Sequence, residues 1–387
     1  MITLARKHAS DRWGRSLLLS ACVFVIAALP LASRAVVTSF EDQLRARART
    51  VPLLVGPAGS RFDLVLSGLH WRASDLRPIH LGIADEIRRE PGVVAIPVHV
   101  RYQAQGAPIA AVPFEYFEFR GLRPRDGRLV AGLGEAVVGS TAARRLGVAP
   151  GDDLLSDQLR SYDITAPPAI QLRVVGVLAP TSTPDDRAVF VDLETAWLLE
   201  GLAHGHDDAS EITDPRLLIG RSEDRVALSG AVVEHPRVDA KNAASFHLHG
   251  DRHELPVTAV IVVPSSEKAE AVVRTRVNAN PARQAVSPSD VSEELIRSVI
   301  RVQRLIDAVS IVVGLAMLGL LLLIALLTLR ARSGEIRTLR EIGASRAQVV
   351  SLFLVEFGGL TALGVIAAVM TAWWVQGAAQ RVLMVIT

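Results

Sequence analysis

The chain has 387 residues, of which 50% are hydrophobic, and its mean hydropathy is +0.31. Its 42 basic and 40 acidic residues nearly cancel, and no basic stripe of the kind that binds nucleic acid stands out. The composition excludes a disordered chain and argues against a wholly soluble enzyme, because the apolar residues concentrate in three long blocks. A single cysteine, Cys22, excludes an intramolecular disulfide and a metal site built from cysteines.

The three apolar blocks predict three transmembrane helices, at residues 16–33, 307–329 and 350–375. A helix needs about 20 apolar residues to cross the hydrocarbon core. The second and third blocks reach that length, whereas the first has 18 uncharged residues and contains Pro30 near its end. A cleaved signal peptide is the alternative for the first block, since a basic start and small residues at Ala32 and Ser33 fit that pattern.

The flanking charges predict the orientation. Residues 1–15 and 330–346 each carry a net charge of +3, and basic loops stay on the cytoplasmic side of a membrane. We therefore expect both stretches to be cytoplasmic and 330–349 to form a cytoplasmic helix or loop. Residues 34–306 then lie outside the cytoplasm, as does a short C-terminal tail at 376–387.

The region between the first two spans reads as an extracytoplasmic α/β domain with stalk helices at both ends. A helix over 34–49 should end before Pro52, and another should start after Pro288, capped by Ser289 or Asp290. Two surface helices are an equally good interpretation of the same spacing. The predicted strands are 93–100, 136–139, 171–178, 188–191 and 257–263, and the predicted short helices are 81–89, 140–146, 193–202 and 266–278. Residues 201–250 read as an irregular polar insertion.

The motifs of several enzyme classes are missing from the sequence. There is no G-x-x-x-x-G-K-[ST] phosphate loop, no H-E-x-x-H, no C-x-x-C and no G-x-S-x-G. We therefore predict that the chain is not an enzyme and that any ATP hydrolysis belongs to a partner subunit.

A histidine-rich stretch is a candidate metal site. In an extended segment, His247, His249 and His253 would share one face, and imidazoles suit Zn²⁺. A solvated polar loop is the alternative. Nearby ligand types are also found at 204, 206–208, 251 and 254.

Glu356 is an acidic residue within the third apolar block. A carboxylate inside a membrane is costly and marks an interface or a cavity. The alternative is a hydrated position near the cytoplasmic boundary, since Arg346 is only ten residues away.

The stretch GEIRTLREIGASRAQVVSLFLVEFGGLTALG (334–364) resembles the permeases of the MacB/LolC/FtsX-type ABC transporter family. The segments EAVVGSTAARRLGVAPGDDL (135–154) and RVVGVLAPTSTPDDRAVFVDLETAWLL (173–199) are similar to parts of that family's periplasmic domain. The positions that match the family's pattern between the second and third spans are Glu335, Ile336, Leu339, Arg340, Gly343, Ala344 and Ser345.

The resemblance implies a permease in the bacterial cytoplasmic membrane with a periplasmic main domain. It implies that the matching segment is a coupling helix that docks on an ABC ATPase subunit and that Glu356 is the acidic residue found early in the third span. It also implies a homo- or heterodimer that acts by mechanotransmission. Family members have four spans, whereas three are predicted here. We therefore expect either that the protein lacks the fourth span or that this chain is truncated before it.

The resemblance leaves three functions open. The first is export or relay of a lipoprotein, a peptide or a hydrophobic compound. The second is a non-transporting transducer that regulates an external partner such as a cell-wall hydrolase. The third is a zinc-linked, metal-handling permease.

Overall fold

In a computed structural model of the protein, the structure describes residues 13–157, 169–205, 218–222, 225–228, 237–238, 242, 245–248, 250–331 and 333–386. The chain forms two compact units, residues 1–44 with 293–386 and residues 45–292. The α-helices are α1 (Trp13–Ala48), α2 (Arg61–His70), α3 (Gly82–Arg88), α4 (Phe114–Arg120), α5 (Ser140–Leu146), α6 (Leu193–Leu199), α7 (Glu267–Asn278), α8 (Pro288–Ala331), α9 (Ser333–Glu341) and α10 (Arg346–Ile386).

The first unit is helical, and its described residues contain three helices that are long and apolar enough to cross a membrane. These candidate spans are Ser20–Asp42 in α1, Pro288–Ala331 in α8 and Gly358–Ala378 in α10. Their large apolar side chains point outward, and Leu315 and Trp373 are 65% and 80% exposed. Such exposure is expected of side chains whose natural surroundings are lipid.

The predicted span 16–33 and the predicted stalk helix 34–49 form one continuous helix, α1, which runs through Pro30 and ends at Ala48. This is expected of a span that continues into a stalk helix. The helices differ from the predictions in two places. The predicted tail 376–387 is helical as far as Ile386. The cap of α8 is Ser287, whose hydroxyl accepts a hydrogen bond from the N–H of Asp290 at 3.5 Å, because Pro288 takes the first helical position, where its missing N–H has no consequence.

The second unit is built around a mixed sheet. Its strands are β1 (Leu53–Pro57), β2 (Ile79–His80), β3 (Val93–Ala104), β4 (Ala107–Ala111), β5 (Pro124–Gly127), β6 (Glu135–Val138), β7 (Asp153–Leu155), β8 (Gln171–Leu178), β9 (Val189–Val191), β10 (Ala203–Gly205), β11 (Leu218–Ser222), β12 (Arg225–Leu228), β13 (Phe246–Leu248), β14 (Pro256–Val257), β15 (Ala259–Pro264) and β16 (Arg283–Val286). The main sheet has the order β16-β1-β15-β3-β4-β9-β6-β8-β5, and β7 also pairs with β8. Pairing is antiparallel except between β4 and β9 and between β6 and β8.

Alternation along the strands creates apolar clusters on both faces of this sheet. In β1, Leu53 and Val55 belong to one cluster and Leu54 belongs to the other, as the two-residue period of a strand requires. The first cluster also receives side chains from α3, α5, α6 and α7. The second receives side chains from α2 and α4, together with Val291.

The predicted insertion at 201–250 lies largely outside the described residues. The described part contains two antiparallel pairs, β10 with β13 and β11 with β12. The predicted strand at 257–263 is divided in the structure, because Val257 pairs with β2 whereas β15 pairs with β1 and β3.

Candidate functional site

The segment that joins the second and third apolar helices is a short helix followed by a tight turn. Gly343 follows α9 with a φ of +98°, a left-handed conformation that suits glycine. Its N–H donates to the carbonyl oxygen of Arg340 at 3.0 Å. The predicted break at Gly343 therefore agrees with the structure.

Ser345 begins the next helix through a reciprocal cap. Its hydroxyl accepts from the N–H of Gln348 at 3.2 Å, and its own N–H donates to the side-chain oxygen of Gln348 at 2.9 Å. This capping box holds the start of α10 in a defined direction relative to the turn.

The surface of the segment combines positive charge with an apolar side chain. Arg337 and Arg340 are exposed, and Ile342 is 78% exposed. Ile336 and Ala344 are half-buried. A shallow depression of about 380 Å³ is lined by Ser333, Ile336, Arg337, Arg340 and Glu341. The backbones of Glu335 and Leu339 lie on α9, and their side chains are outside the described part of the chain.

Glu356 lies on α10, two residues before the candidate span Gly358–Ala378. Its side chain is also outside the described part. Whether it faces an interface stays a prediction.

Within the first unit, α1 contacts both other long helices. Ser33 donates to Gln303 of α8 at 2.8 Å, and Arg34 donates to Asp307 at 2.9 Å. A Cβ added at Gly364 of α10 would lie 2.7 Å from the backbone oxygen of Ser20. The absence of a side chain at Gly364 thus permits close helix packing, as small residues do in membranes.

In the second unit, charged and aromatic side chains meet in a buried group that we call the Arg47 cluster: Arg47, Trp71, Tyr116 and Asp185. Arg47 comes from the last turn of α1, and Asp185 from a 3₁₀ turn, Pro184–Arg187, that follows β8. The two side chains are 3% and 0% exposed. Burying a charge pair is tolerated only where its hydrogen-bonding capacity is satisfied.

The hydrogen bonds of this cluster involve all three nitrogens of the guanidinium. Its Nη1 and Nη2 donate to the two carboxylate oxygens of Asp185 at 2.7 and 2.9 Å. Nε donates to the carbonyl oxygen of Leu69 at 3.0 Å, and Nη2 also donates to the hydroxyl of Tyr116 at 2.9 Å. The carboxylate accepts further bonds from Tyr116 and from Nε1 of Trp71, at 2.8 and 3.0 Å.

These contacts set the protonation states. Burial alone would raise the pKa of Asp185, but the charge and hydrogen bonds of Arg47, with help from Arg120 and Tyr116, outweigh it and lower the pKa to about 2. Burial raises the pKa of Tyr116 far above its usual range. The pair is therefore ionised at neutral pH, with Tyr116 as a neutral donor.

His70 lies beside this cluster and is also buried. Burial lowers its pKa to about 4, and the positive charges of Arg47 and Arg187 add to this effect. Its Nδ1 has no hydrogen-bond partner among the described residues. The imidazole is therefore neutral at physiological pH.

The loop that presents Asp185 is held by its own hydrogen bonds. The N–H groups of Thr181 and Ser182 donate to the carboxylate of Asp186 at 2.8 and 2.7 Å. A Cβ at Gly139 would lie 2.3 Å from the carbonyl oxygen of Asp185, so the loop packs against β6 only because that position is glycine.

The histidine candidates are not brought together as predicted. The extended run ends at Leu248, and 252–254 form a 3₁₀ turn in which His253 contacts Asp85 at 2.9 Å. The prediction that 247–253 form one extended face is therefore wrong. His249 lies outside the described residues, and no group of three metal-ligating side chains is found in the described parts of the chain.

Sequence reasoning missed the Arg47 cluster. Its members are far apart in the chain, 138 residues separating Arg47 from Asp185. The only local signal was two adjacent carboxylates, Asp185 and Asp186, between two strongly apolar strands.

Comparison with known proteins gives one family match. The model of the MacB-like periplasmic core domain matches residues 17–229, more than half of the chain. That range includes most of α1 and the loop that carries Asp185. No curated protein matches the chain.

Among solved structures, the chain is similar to the extracellular domain of the noncanonic ABC-type transporter YknZ from Gram-positive bacteria. The identity is 11% and the TM-score 0.32, over 61% of this chain and 98% of that one.

Proposed function

This chain belongs to the family of the MacB-like periplasmic core domain, and from that premise we propose that it is a permease subunit that couples a separate ABC ATPase to its extracytoplasmic domain. The observation that carries the proposal is the family match over 17–229 in a chain that also has three helices able to span a membrane. The described residues and the full sequence both lack a phosphate-binding loop, so ATP hydrolysis is assigned to the partner.

The proposed topology places the second unit outside the cytoplasm and α9 inside. The net charge of +3 on residues 330–346 supports a cytoplasmic position for α9. Trp373 and Trp374, both strongly exposed, lie near the far end of the third candidate span. Tryptophans favour the membrane–water interface, which fits an external end at this position. A bacterial cytoplasmic membrane is the location that this topology suits.

The proposed ATPase contact is the surface around α9. Exposed Arg337 and Arg340 can pair with acidic side chains on a soluble partner, and exposed Ile342 can enter an apolar pocket on it. The turn at Gly343 and the cap at Ser345 hold this surface rigidly at the start of α10. A stroke of the ATPase would thereby move the spans, and a dimer of permease subunits would form around them.

The transported material is proposed as a lipoprotein, peptide or hydrophobic compound. The alternative is a transducer whose moving domain regulates an external partner such as a cell-wall hydrolase. Transport of a labelled substrate by the reconstituted complex separates the two, since only the first proposal requires it.

The test of the ATPase contact is co-purification from membranes. The full chain should retain an ABC ATPase in mild detergent, and removal of 334–346 should abolish this retention. Arg340→Ala should lower coupled ATP turnover, whereas the matched change Lys268→Ala, at an exposed site on α7, should not. If the ATPase is retained without 334–346, the coupling assignment is wrong.

A zinc-linked role is a second proposal, favoured by one observation. The register of β10 and β13 sets the backbone of His204 directly opposite that of His247, and residues directly opposite on neighbouring strands are about 5 Å apart. Equilibrium dialysis with Zn²⁺ tests it. The joint change of His204, His247, His249 and His253 to alanine should remove bound zinc, and unchanged zinc content would exclude the role.

A further inference from the structure

The Arg47 cluster connects one particular helix to the extracytoplasmic unit. Arg47 lies five residues beyond Asp42, the last residue of the candidate span in α1. Helix α1 is continuous from that span to Ala48. The residue that is fully enclosed by the second unit is thus covalently part of a membrane helix.

The partners of Arg47 come from several different elements. Leu69 belongs to α2, Tyr116 to α4, and Asp185 to the turn after β8. Trp71 adds its ring, with the guanidinium carbon 5.9 Å from the ring centroid. A planar fork held by two carboxylate oxygens, a carbonyl and a hydroxyl resists both sliding and rotation of the helix end.

Ordinary stabilisation does not require this arrangement. Removing two charges from water is costly, and apolar residues of similar volume often stabilise a fold equally well. An apolar plug would, however, allow the helix end to turn or slide. What the charged fork adds is a fixed direction and a fixed position.

We infer that Arg47 and Asp185 form the mechanical attachment point of α1, a positioning pair through which movement of the first span is delivered to the extracytoplasmic sheet. The role of the pair in transmitting movement rests on the proposed function. The attachment itself is a property of the chain that can be measured without the ATPase.

The pair also joins the attachment to paired strands of the main sheet. The Asp185 turn directly connects β8 with β9, which both pair with β6. Gly139, at the end of β6, lets the turn rest against that strand. A force on Arg47 therefore reaches β8 and β9 through the short turn that joins them.

The test compares full-length proteins in lipid nanodiscs. The main variant is Arg47→Met with Asp185→Asn, which leaves no lone buried charge and keeps an oxygen acceptor for Trp71 and Tyr116. Arg47→Lys keeps the charge without the fork. The matched control is Arg283→Met with Glu86→Gln, which removes another two-bond ion pair in the same unit that does not involve α1.

Two readouts are taken. Hydrogen exchange follows the amides of residues 44–51 against those of β3 and β15. Spin labels at Thr38→Cys and Lys268→Cys, both exposed sites, report the spread of distances between α1 and the second unit, in a background with Cys22→Ser.

The inference predicts that exchange at 44–51 rises about tenfold or more in the main variant, with an intermediate rise for Arg47→Lys and no rise in the control. The distance distribution should broaden in the same order, while exchange in β3 and β15 stays within about twofold. If the main variant does not fold, Arg47→Lys alone is read by the same criteria.

Equal exchange and equal distance widths in all proteins would overturn the attachment. A uniform rise across the whole second unit would also overturn it, because that result indicates simple loss of stability. Failure of the wild-type chain to retain an ATPase would instead contradict the proposed function and leave these readouts intact.

Discussion

The two units use apolar side chains in opposite ways. The extracytoplasmic unit buries them on both faces of a sheet, as Leu53 and Leu54 illustrate. The helical unit leaves apolar side chains such as that of Leu315 exposed on its outer surface. The extracytoplasmic unit therefore gains its stability mainly from burial of apolar surface away from water, with the Arg47 cluster inside it. The helical unit must depend on close helix contacts and a few hydrogen bonds. Lipid tails are as apolar as its side chains, so burying those side chains between helices provides little hydrophobic driving force.

In this comparison the buried charge pair is the most vulnerable point of the extracytoplasmic unit. Arg47→Ala leaves the Asp185 carboxylate buried without its main partner, and we expect a loss of about 3–5 kcal/mol in the free energy of unfolding. Urea unfolding followed by tryptophan fluorescence measures it. Arg125→Ala, which removes an exposed ion pair in the same unit, is the control and should change little. A similar small effect at Arg47 would contradict the account of the cluster.

Lowering the pH should reduce the stability of the same unit, because His70 is buried in its neutral form. Its pKa is about 4 in the folded protein and 6.5 in the unfolded chain. The unfolded state therefore binds a proton that the folded state does not, and stability falls as pH decreases from about 6.5 to 4, by roughly 3 kcal/mol. Urea unfolding at several pH values should show this slope, and His70→Gln should flatten it.

An unaltered slope in His70→Gln would mean that other groups carry the acid sensitivity. Below pH 4 a further loss is expected in all variants that keep Asp185, because its depressed pKa of about 2 is then approached.

The helical unit should be sensitive to added volume rather than to charge. In Gly364→Val the new side chain would meet the backbone oxygen of Ser20 and force α1 and α10 apart. We expect a loss of about 1–3 kcal/mol in detergent-induced unfolding. Gly359→Val is the matched control on the same helix, since nothing lies within 4 Å of a Cβ there. Equal effects of both changes would contradict the packing at Gly364.

Sequence patterns predicted the strands and helices whose bounds are set by residues within or next to them. The strand Gln171–Leu178 and the helix Ser140–Leu146 have the predicted bounds, because a β-branched apolar run and a small-residue helix ending at glycine are strong local signals. The helix Phe114–Arg120 was missed, since seven residues are too few to show a helical period. Pro30 lies inside α1 without ending it, because neighbouring groups in a membrane helix can compensate for proline.

The candidate site likewise has features that local sequence determines and features that it does not. The break at Gly343 and the start of the next helix at Ser345 follow from local turn and cap chemistry. The pairing of Arg47 with Asp185 depends on how α1, α2, α4 and a distant turn pack together. No spacing within a single segment encodes that meeting, so the sequence alone offered no way to find it.

The central claim is that α9 lies on the opposite side of a membrane from the sheet. It is tested most directly by labelling single cysteines with a membrane-impermeant maleimide in intact cells with a permeable outer surface. In the Cys22→Ser background, Lys268→Cys should react in intact cells, and Arg337→Cys only after the membrane is opened. Both sites are exposed in the structure, so accessibility differences report the membrane alone. Labelling of both sites in intact cells, or of Arg337→Cys alone, would contradict the account.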